Sequence, residues 1–187
     1  GKGVSYCATC DGFFFSGKHV AVIGGGNSAL DEGLFLTRFA AKVTIIHRRD
    51  RLRADAILQE RAQANEKMDF IWDSVVEEVK GQGSVNALKL KNVKTGAITD
   101  FPVDGVFVFI GHHPNTDLFA GKLQLDEGGY LVTDRRMRTN LAGVFGCGDV
   151  QDSVYRQAIT AAGTGCQAAI EAERYIAEHA GKAYPGR

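Results

Sequence analysis

The stretch Gly24-Gly25-Gly26-Asn27-Ser28-Ala29 follows a β-branched run, His19 to Ile23, and opens a helical pattern. It matches G-x-G-x-x-A, which demands a strand, a tight turn and a helix in immediate succession. Gly24 permits the turn, Gly26 lets a pyrophosphate approach the backbone, and Ala29 lets helix and strand pack closely. The helix N-terminus adds free N–H groups and the positive end of a dipole. Such turns also occur for structural reasons alone, so the flanking elements matter. Leu30, Leu34 and Ala41 recur along one stripe of a helix predicted over Asn27 to Ala41. Val43 to Ile46 is a continuous apolar strand of the kind buried on both faces of a parallel sheet.

The rest of the first hundred residues extends this α/β pattern. Arg53 to Asn65 is rich in helix formers, and Phe70 to Trp72 starts another strand. Val75–Val79, Val85–Val93 and Ala97–Val103 are separated by Gly-containing turns, which predicts an antiparallel β-meander. Val106 to Ile110 is again a buried strand. Short strands are expected at Tyr130–Val132 and Val144–Phe145. A closing helix is expected from about Arg156 to His179, with Ile159, Ala162, Cys166, Ala169 and Ile176 on its apolar side. The domain border is placed at Pro114, giving domains 1–113 and 114–187. There is no internal repeat or low-complexity stretch.

Strand two ends in His47-Arg48-Arg49-Asp50-Arg51-Leu52-Arg53, with no carboxylate at the strand tip. An NAD site would place an acidic residue there for the ribose 2′-hydroxyl. Guanidinium groups instead form charge-assisted, often bidentate bonds with phosphate. The competing reading is a solvated basic turn. Four arginines on a chain whose 22 basic and 22 acidic residues cancel favour a 2′-phosphate site, hence NADPH over NADH. That same balance disfavours a nucleic-acid-binding role. No stretch approaches the roughly 18 consecutive apolar residues of a membrane helix.

Cys7-Ala8-Thr9-Cys10-Asp11 precedes the nucleotide motif. A C-x-x-C pair beside an α/β unit reads as a dithiol/disulfide site. The alternative is two unreactive buried cysteines. Zinc would need further ligands, and Cys147 and Cys166 form no second C-x-x-C, so no metal is expected. Asp11 is a candidate proton donor, or simply a cap or turn former. Four cysteines are too few for a disulfide-stapled scaffold. The chain begins at Gly1 with no secretory segment before Cys7, and a cytoplasmic location is expected.

Together these residues resemble low-molecular-weight thioredoxin reductase. The likeness runs from Ser5-Tyr6-Cys7-Ala8-Thr9-Cys10-Asp11-Gly12 through the glycine turn to His47-Arg48-Arg49 with Arg53, which satisfies the family's H-R-R-x-x-x-R signature. It continues through Ile110-Gly111-His112, Gly143 to Val150, Tyr155 to Ala158 and Gly163 to Cys166. The resemblance implies a Rossmann-like NADPH domain, with parallel sheet and β-meander, followed by the C-terminal part of a split FAD domain. It implies that the chain is a fragment lacking the N-terminal FAD half.

In the NADPH site it places Gly24, Gly26, Asn27, Ser28, Ala29, His47, Arg48, Arg49, Arg53, Ile110, Gly111 and His112. Gly148 and Asp149 are implied at the flavin ribityl chain, and Arg156, Gln157 and Ala158 along its ring. Electrons would pass from NADPH to FAD, then to the disulfide, then to thioredoxin, with the domains rotating between steps. Cys10 would face the flavin, Cys7 would attack thioredoxin, and Asp11 would serve as acid/base. A homodimer is implied. FAD belongs to the intact family protein, and this chain is expected neither to retain it nor to turn over alone.

Cys147 stands where the family commonly has alanine, and is read as a small buried hydrophobe. Cys166 is read as core, and His113 as structural. Two other readings remain open: an NADPH-binding module without electron transfer, and a flavoprotein reductase serving another disulfide partner, such as a peroxiredoxin system. Ala8-Thr9 between the cysteines favours thioredoxin reductase over an alkyl hydroperoxide reductase subunit.

Overall fold

The computed structural model describes residues 1–181. It divides into two units, one spanning Gly1–His112 and a second beginning at His113.

The first unit has three layers. Its centre is a five-stranded parallel sheet in the order β1-β8-β2-β3-β4. The strands are β1 (Val4–Ser5), β2 (His19–Ile23), β3 (Lys42–Ile46), β4 (Met68–Ile71) and β8 (Gly105–Val108). Alternate residues feed opposite faces. Val20, Val22, Val43, Ile45 and Phe107 pack with Leu30, Leu36 and Ala62 from helices α2 (Asn27–Leu36) and α3 (Ala56–Gln63). Ala21, Ile46 and Val106 face the other way, onto Val85, Leu88, Leu90 and Val103. Those last residues belong to or flank an antiparallel sheet of β5 (Ser74–Lys80), β6 (Ala87–Asn92) and β7 (Ile98–Pro102). Both faces of the parallel sheet are therefore covered, which is why its strands read as unbroken apolar runs.

The two helices are shorter than their sequence patterns. Helix α2 stops at Leu36, and Ala41 lies beyond it, exposed. Thr37 caps the end, donating from Oγ1 to Leu34 O at 2.7 Å, while Lys67 Nζ donates to Thr37 O at 2.8 Å and to Ala40 O at 3.3 Å. Helix α3 starts at Ala56 because its N-cap, Asp55, is extended (φ −61°, ψ 147°); just before it the N–H groups of Arg53 and Ala54 donate to Gly25 O, at 2.7 and 3.2 Å. Strand β8 ends at Val108. Strand β1 and the single turn α1 (Ala8–Asp11) were not anticipated; two strand residues carry no readable period.

In the second unit, the strands expected at Tyr130–Val132 and Val144–Phe145 are single bridges, Leu125 with Leu131 and Arg138 with Phe145. Turns interrupt pairing on both sides before a ladder can grow. Helix α4 (Ala158–His179) begins two residues after Arg156, whose φ of +49° is incompatible with a right-handed helix. Gln157 and Thr160 form a capping box instead. The helix buries Ala168 and Glu171. The stripe expected to be core lies outward: Ile159 and Ile176 are exposed, and so is Cys166. Cys147 is half-buried, not core. Periodicity marks an apolar face but does not say what covers it.

Among the described residues no helix is long and apolar enough to cross a membrane, and no group of three or more candidate ligands could hold a metal.

Candidate nucleotide and disulfide site

In the parallel sheet the chain leaves β2 toward β3 and β4 on one side, then returns to β8 on the other. The crevice at the carboxyl ends of β2 and β8 is thus a topological switch point, where α/β sheets bind ligands. Three predicted segments meet at this edge: Gly24–Ala29 after β2, His47–Arg53 after β3, and Ile110–His112 just beyond β8. A cavity of about 540 Å³ opens there, lined by Gly24, Gly25, His47, Arg48, Arg53 and Ile110 among others. Gly26, Asn27, Ser28, Arg49, Gly111 and His112 lie outside that lining.

The glycines have separate jobs. Gly24 has φ +146°, and a β-carbon there would meet Phe109 O at 2.4 Å and the Ala29 β-carbon at 2.8 Å. Ala29 is fully buried and acts through this packing. Gly25 carries the His47 ring against it. A β-carbon on Gly26 would meet nothing within 4 Å. Space left open at the N-cap of α2 is what an approaching pyrophosphate needs.

The arginine loop is tied to this turn. Gly25 O accepts from two loop N–H groups, as above. Asn27 Nδ2 donates to Asp55 Oδ2 and Asp55 N–H donates to Asn27 Oδ1, both at 2.8 Å. Asn27 therefore braces the starts of α2 and α3. Arg48, Arg49 and Arg53 are exposed at the rim. His47 is buried, and its Nε2 has no hydrogen-bond partner. Burial holds its pKa below the ordinary value, helped by the charge of Arg53 and then of Arg49 and Arg48, with a hydrogen bond to the Arg51 backbone opposing. A neutral imidazole with an unsatisfied nitrogen, an open Gly26 and three exposed guanidiniums fit a phosphorylated dinucleotide.

Cys7 and Cys10 form a disulfide with a Cα–Cα distance of 5.3 Å. It spans α1, directly after β1, so it lies at the same carboxyl edge of the sheet. Tyr6, adjacent to Cys7, lines the cavity. Cys10 N–H donates to Cys7 Sγ at 3.1 Å, and Ala8 N–H donates to Glu32 Oε2 on α2, also at 3.1 Å. Burial pushes the Glu32 carboxyl up; the Ala8 N–H opposes this and Asp31 adds to it. Asp11 closes α1 and is half-buried.

The order of these parts has a counterpart among known proteins. A sequence profile of pyridine nucleotide-disulphide oxidoreductases matches residues 1–165. The chain belongs to that family. It is 60% identical over 178 residues to a thioredoxin reductase of Streptomyces coelicolor, covering 95% of this chain and 55% of the relative. It is 54% identical over 182 residues to a bifunctional thioredoxin reductase/thioredoxin of Mycobacterium leprae, covering 97% of this chain and 40% of the relative. The crystal structure of thioredoxin reductase from Streptococcus pyogenes superposes with a TM-score of 0.88 at 47% identity, covering 95% of this chain and 58% of that one. The chain thus spans 40 to 58% of the length of these three relatives. Homology to low-molecular-weight thioredoxin reductases extends over nearly all of it and, with the Cys7–Cys10 disulfide, supports a redox function.

The residues proposed for the flavin lie in the second unit. Gly148 has φ +73° and donates its N–H to Thr164 Oγ1 at 3.0 Å. Asp149 is exposed. Arg156 Nη1 is engaged by Tyr130 Oη at 3.1 Å and Ser153 O at 2.8 Å. Gln157 caps α4 and Ala158 begins it. Gly163 and Gly165 on that helix have open space where a β-carbon would stand, but at two residues apart they lie on different sides of it. His113 pairs with Asp117 at 3.3 Å.

Sequence reasoning missed Gly25, Phe109 and Asp55. A third consecutive glycine, one more than the motif requires, was the available signal for the first. Phe109 acts through its backbone carbonyl and Asp55 through its carboxylate and its N–H, and neither carries a motif.

Proposed function

We propose that this chain performs the NADPH-binding and dithiol-exchange steps of a thioredoxin-disulfide reductase. One observation carries the reading: the Arg53 and Ala54 N–H groups lock the arginine loop onto Gly25 at the edge where the Cys7–Cys10 disulfide also lies. Gly24, Gly26 and the α2 N-terminus receive the pyrophosphate, with Asn27 and Ser28 beside it. Arg48, Arg49 and Arg53 receive the 2′-phosphate, each charge-assisted hydrogen bond contributing about 1.5–3 kcal/mol. His47, Ile110, Gly111 and His112 border the nucleotide.

The domain division proposed is 1–113 for NADPH and 114–187 for part of an FAD domain. Bound FAD would supply the two-electron relay between nicotinamide and disulfide. Gly148, Asp149, Arg156, Gln157 and Ala158 are this chain's contribution to holding it.

Once reduced, the Cys7 thiolate attacks the partner disulfide, forming a mixed disulfide and releasing one partner thiolate. Cys10 then attacks Cys7 Sγ, which re-forms Cys7–Cys10 and releases the second thiolate. Asp11 exchanges the proton. A relative that joins reductase and thioredoxin in one chain supports thioredoxin as the partner, with a potential near about −270 mV. A cytoplasmic homodimer is the proposed setting.

The test uses the purified chain with NADPH and oxidised thioredoxin. No steady NADPH consumption is expected, whereas chemically reduced chain should reduce thioredoxin once. Cys10→Ser should trap a mixed disulfide through Cys7. Steady turnover by the chain alone, or trapping by Cys7→Ser but not Cys10→Ser, would overturn the reading.

A further inference from the structure

The arginine loop contains one carboxylate, Asp50, and the structure shows where it is held. Lys94, on the turn between β6 and β7, places Nζ 2.9 Å from Asp50 Oδ2 and 3.0 Å from Asp73 Oδ2. The turn is itself ordered: Asn92 Oδ1 accepts from the N–H groups of Lys94 and Thr95 at 3.0 and 2.9 Å. Asp73 is half-buried, with its side chain 16% exposed, and its backbone connects the residues next to Asp50 and Lys94. Its N–H donates to Arg49 O at 3.2 Å, and its carbonyl accepts from Val93 N–H at 2.6 Å. One ammonium thus ties the meander to the phosphate loop.

Asp50 matters because of where it falls. It lies about 24 positions beyond Gly26 and four residues past the end of β3, the strand tip where an NAD site carries its acidic residue for the ribose 2′-hydroxyl. Left uncompensated, its carboxylate would repel a 2′-phosphate of roughly −1.5 to −2 charge and accept a bare 2′-hydroxyl. The hydrogen bond from Lys94, reinforced by its charge, holds the Asp50 carboxyl below the ordinary value, so it stays ionised and engaged.

We propose that Lys94 is a specificity-determining positioning residue, which sequesters Asp50 so that the loop selects a 2′-phosphorylated nucleotide over one with a free 2′-hydroxyl. The inference rests on the NADPH reading above and goes beyond it, since Lys94 and Asp73 belong to no nucleotide motif.

Calorimetric titration of the chain with NADPH and NADH tests it. The wild type should prefer NADPH at least tenfold. Lys94→Met should lower that preference by about threefold, the scale of an exposed ion pair, mainly by weakening NADPH. Lys94→Arg should retain the preference. Asp50→Asn should leave it intact or raised, and in the Lys94→Met background should restore it. A lysine that merely braced its turn, or attracted phosphate directly, would not be rescued by removing Asp50. The Lys94 side chain is 57% exposed, so Met leaves the core untouched, and a thermal melt verifies this. A wild type without preference would overturn the NADPH reading itself. A normal wild type with an unchanged Lys94→Met ratio, or a lost ratio not restored by Asp50→Asn, would overturn the role of Lys94.

Discussion

The imidazole of His47 lies so close to Gly25 that a β-carbon on Gly25 would stand 2.4 Å from His47 Nδ1. The end of strand β3 is thereby seated on the glycine turn after β2, and only a residue without a side chain permits it. Gly25 O, accepting from the Arg53 and Ala54 N–H groups, completes the seat. Turn and loop are thus joined by both packing and backbone hydrogen bonds.

Gly25→Ala and Gly26→Ala should therefore fail differently. At Gly25 the new methyl forces the buried ring aside, at a cost of about 1–3 kcal/mol. At Gly26 the methyl enters open space, so the fold should melt normally while NADPH affinity falls at least tenfold. Paired thermal melts and nucleotide titrations check this. Normal NADPH affinity in Gly26→Ala would contradict the placement of the pyrophosphate.

Arg48→Ala and Arg53→Ala should each weaken NADPH by about tenfold or more, since about 1.4 kcal/mol is a factor of ten. NADH affinity should change little. The Arg53 backbone N–H to Gly25 is unaffected by the side-chain change. Equal losses for both nucleotides would point to a collapsed loop instead of a lost phosphate contact.

Leu30→Ala probes the helix-facing core. Leu30 is fully buried between α2 and the parallel sheet, so the truncation should cost about 2–5 kcal/mol. Denaturant unfolding of the chain measures it, and a loss under about 0.5 kcal/mol would mean this face is not packed as described.

Glu171 gives a pH signature. Burial raises its pKa, but Arg136 at 2.7 Å, Arg174 at 2.6 Å and Arg138 at 3.2 Å outweigh that and hold it below 4.5. A carboxyl lowered in the folded state stabilises above its unfolded pKa, and the contribution disappears as pH falls through the folded value. Glu171→Gln should melt lower than wild type at pH 7, with the gap closing below about pH 4.5. A gap that stays constant down to pH 3 would assign the loss to packing alone.

Much of the site was legible because its signals are local. The glycine turn, the C-x-x-C pair and the arginine run are contiguous in sequence, and each is explained by the element it joins. The strands of the parallel sheet were legible for a different reason: burial on both faces leaves an apolar run with few competing readings. Helix ends were not, because Lys67 on the Thr37 carbonyl and Asn27 on the N-cap Asp55 hold them from positions distant in sequence.

By itself the sequence determined an α/β unit with a glycine turn at a helix N-terminus, a basic loop and a C-x-x-C pair, since backbone conformation and residue chemistry at short range dictate those. Tertiary structure alone decided which carboxylate Lys94 holds, that His47 rests on Gly25, that β1 brings the disulfide to the sheet edge, and that the apolar stripe of α4 faces outward. Each of these joins segments far apart in the chain, and such contacts depend on sheet order, which residue spacing does not encode.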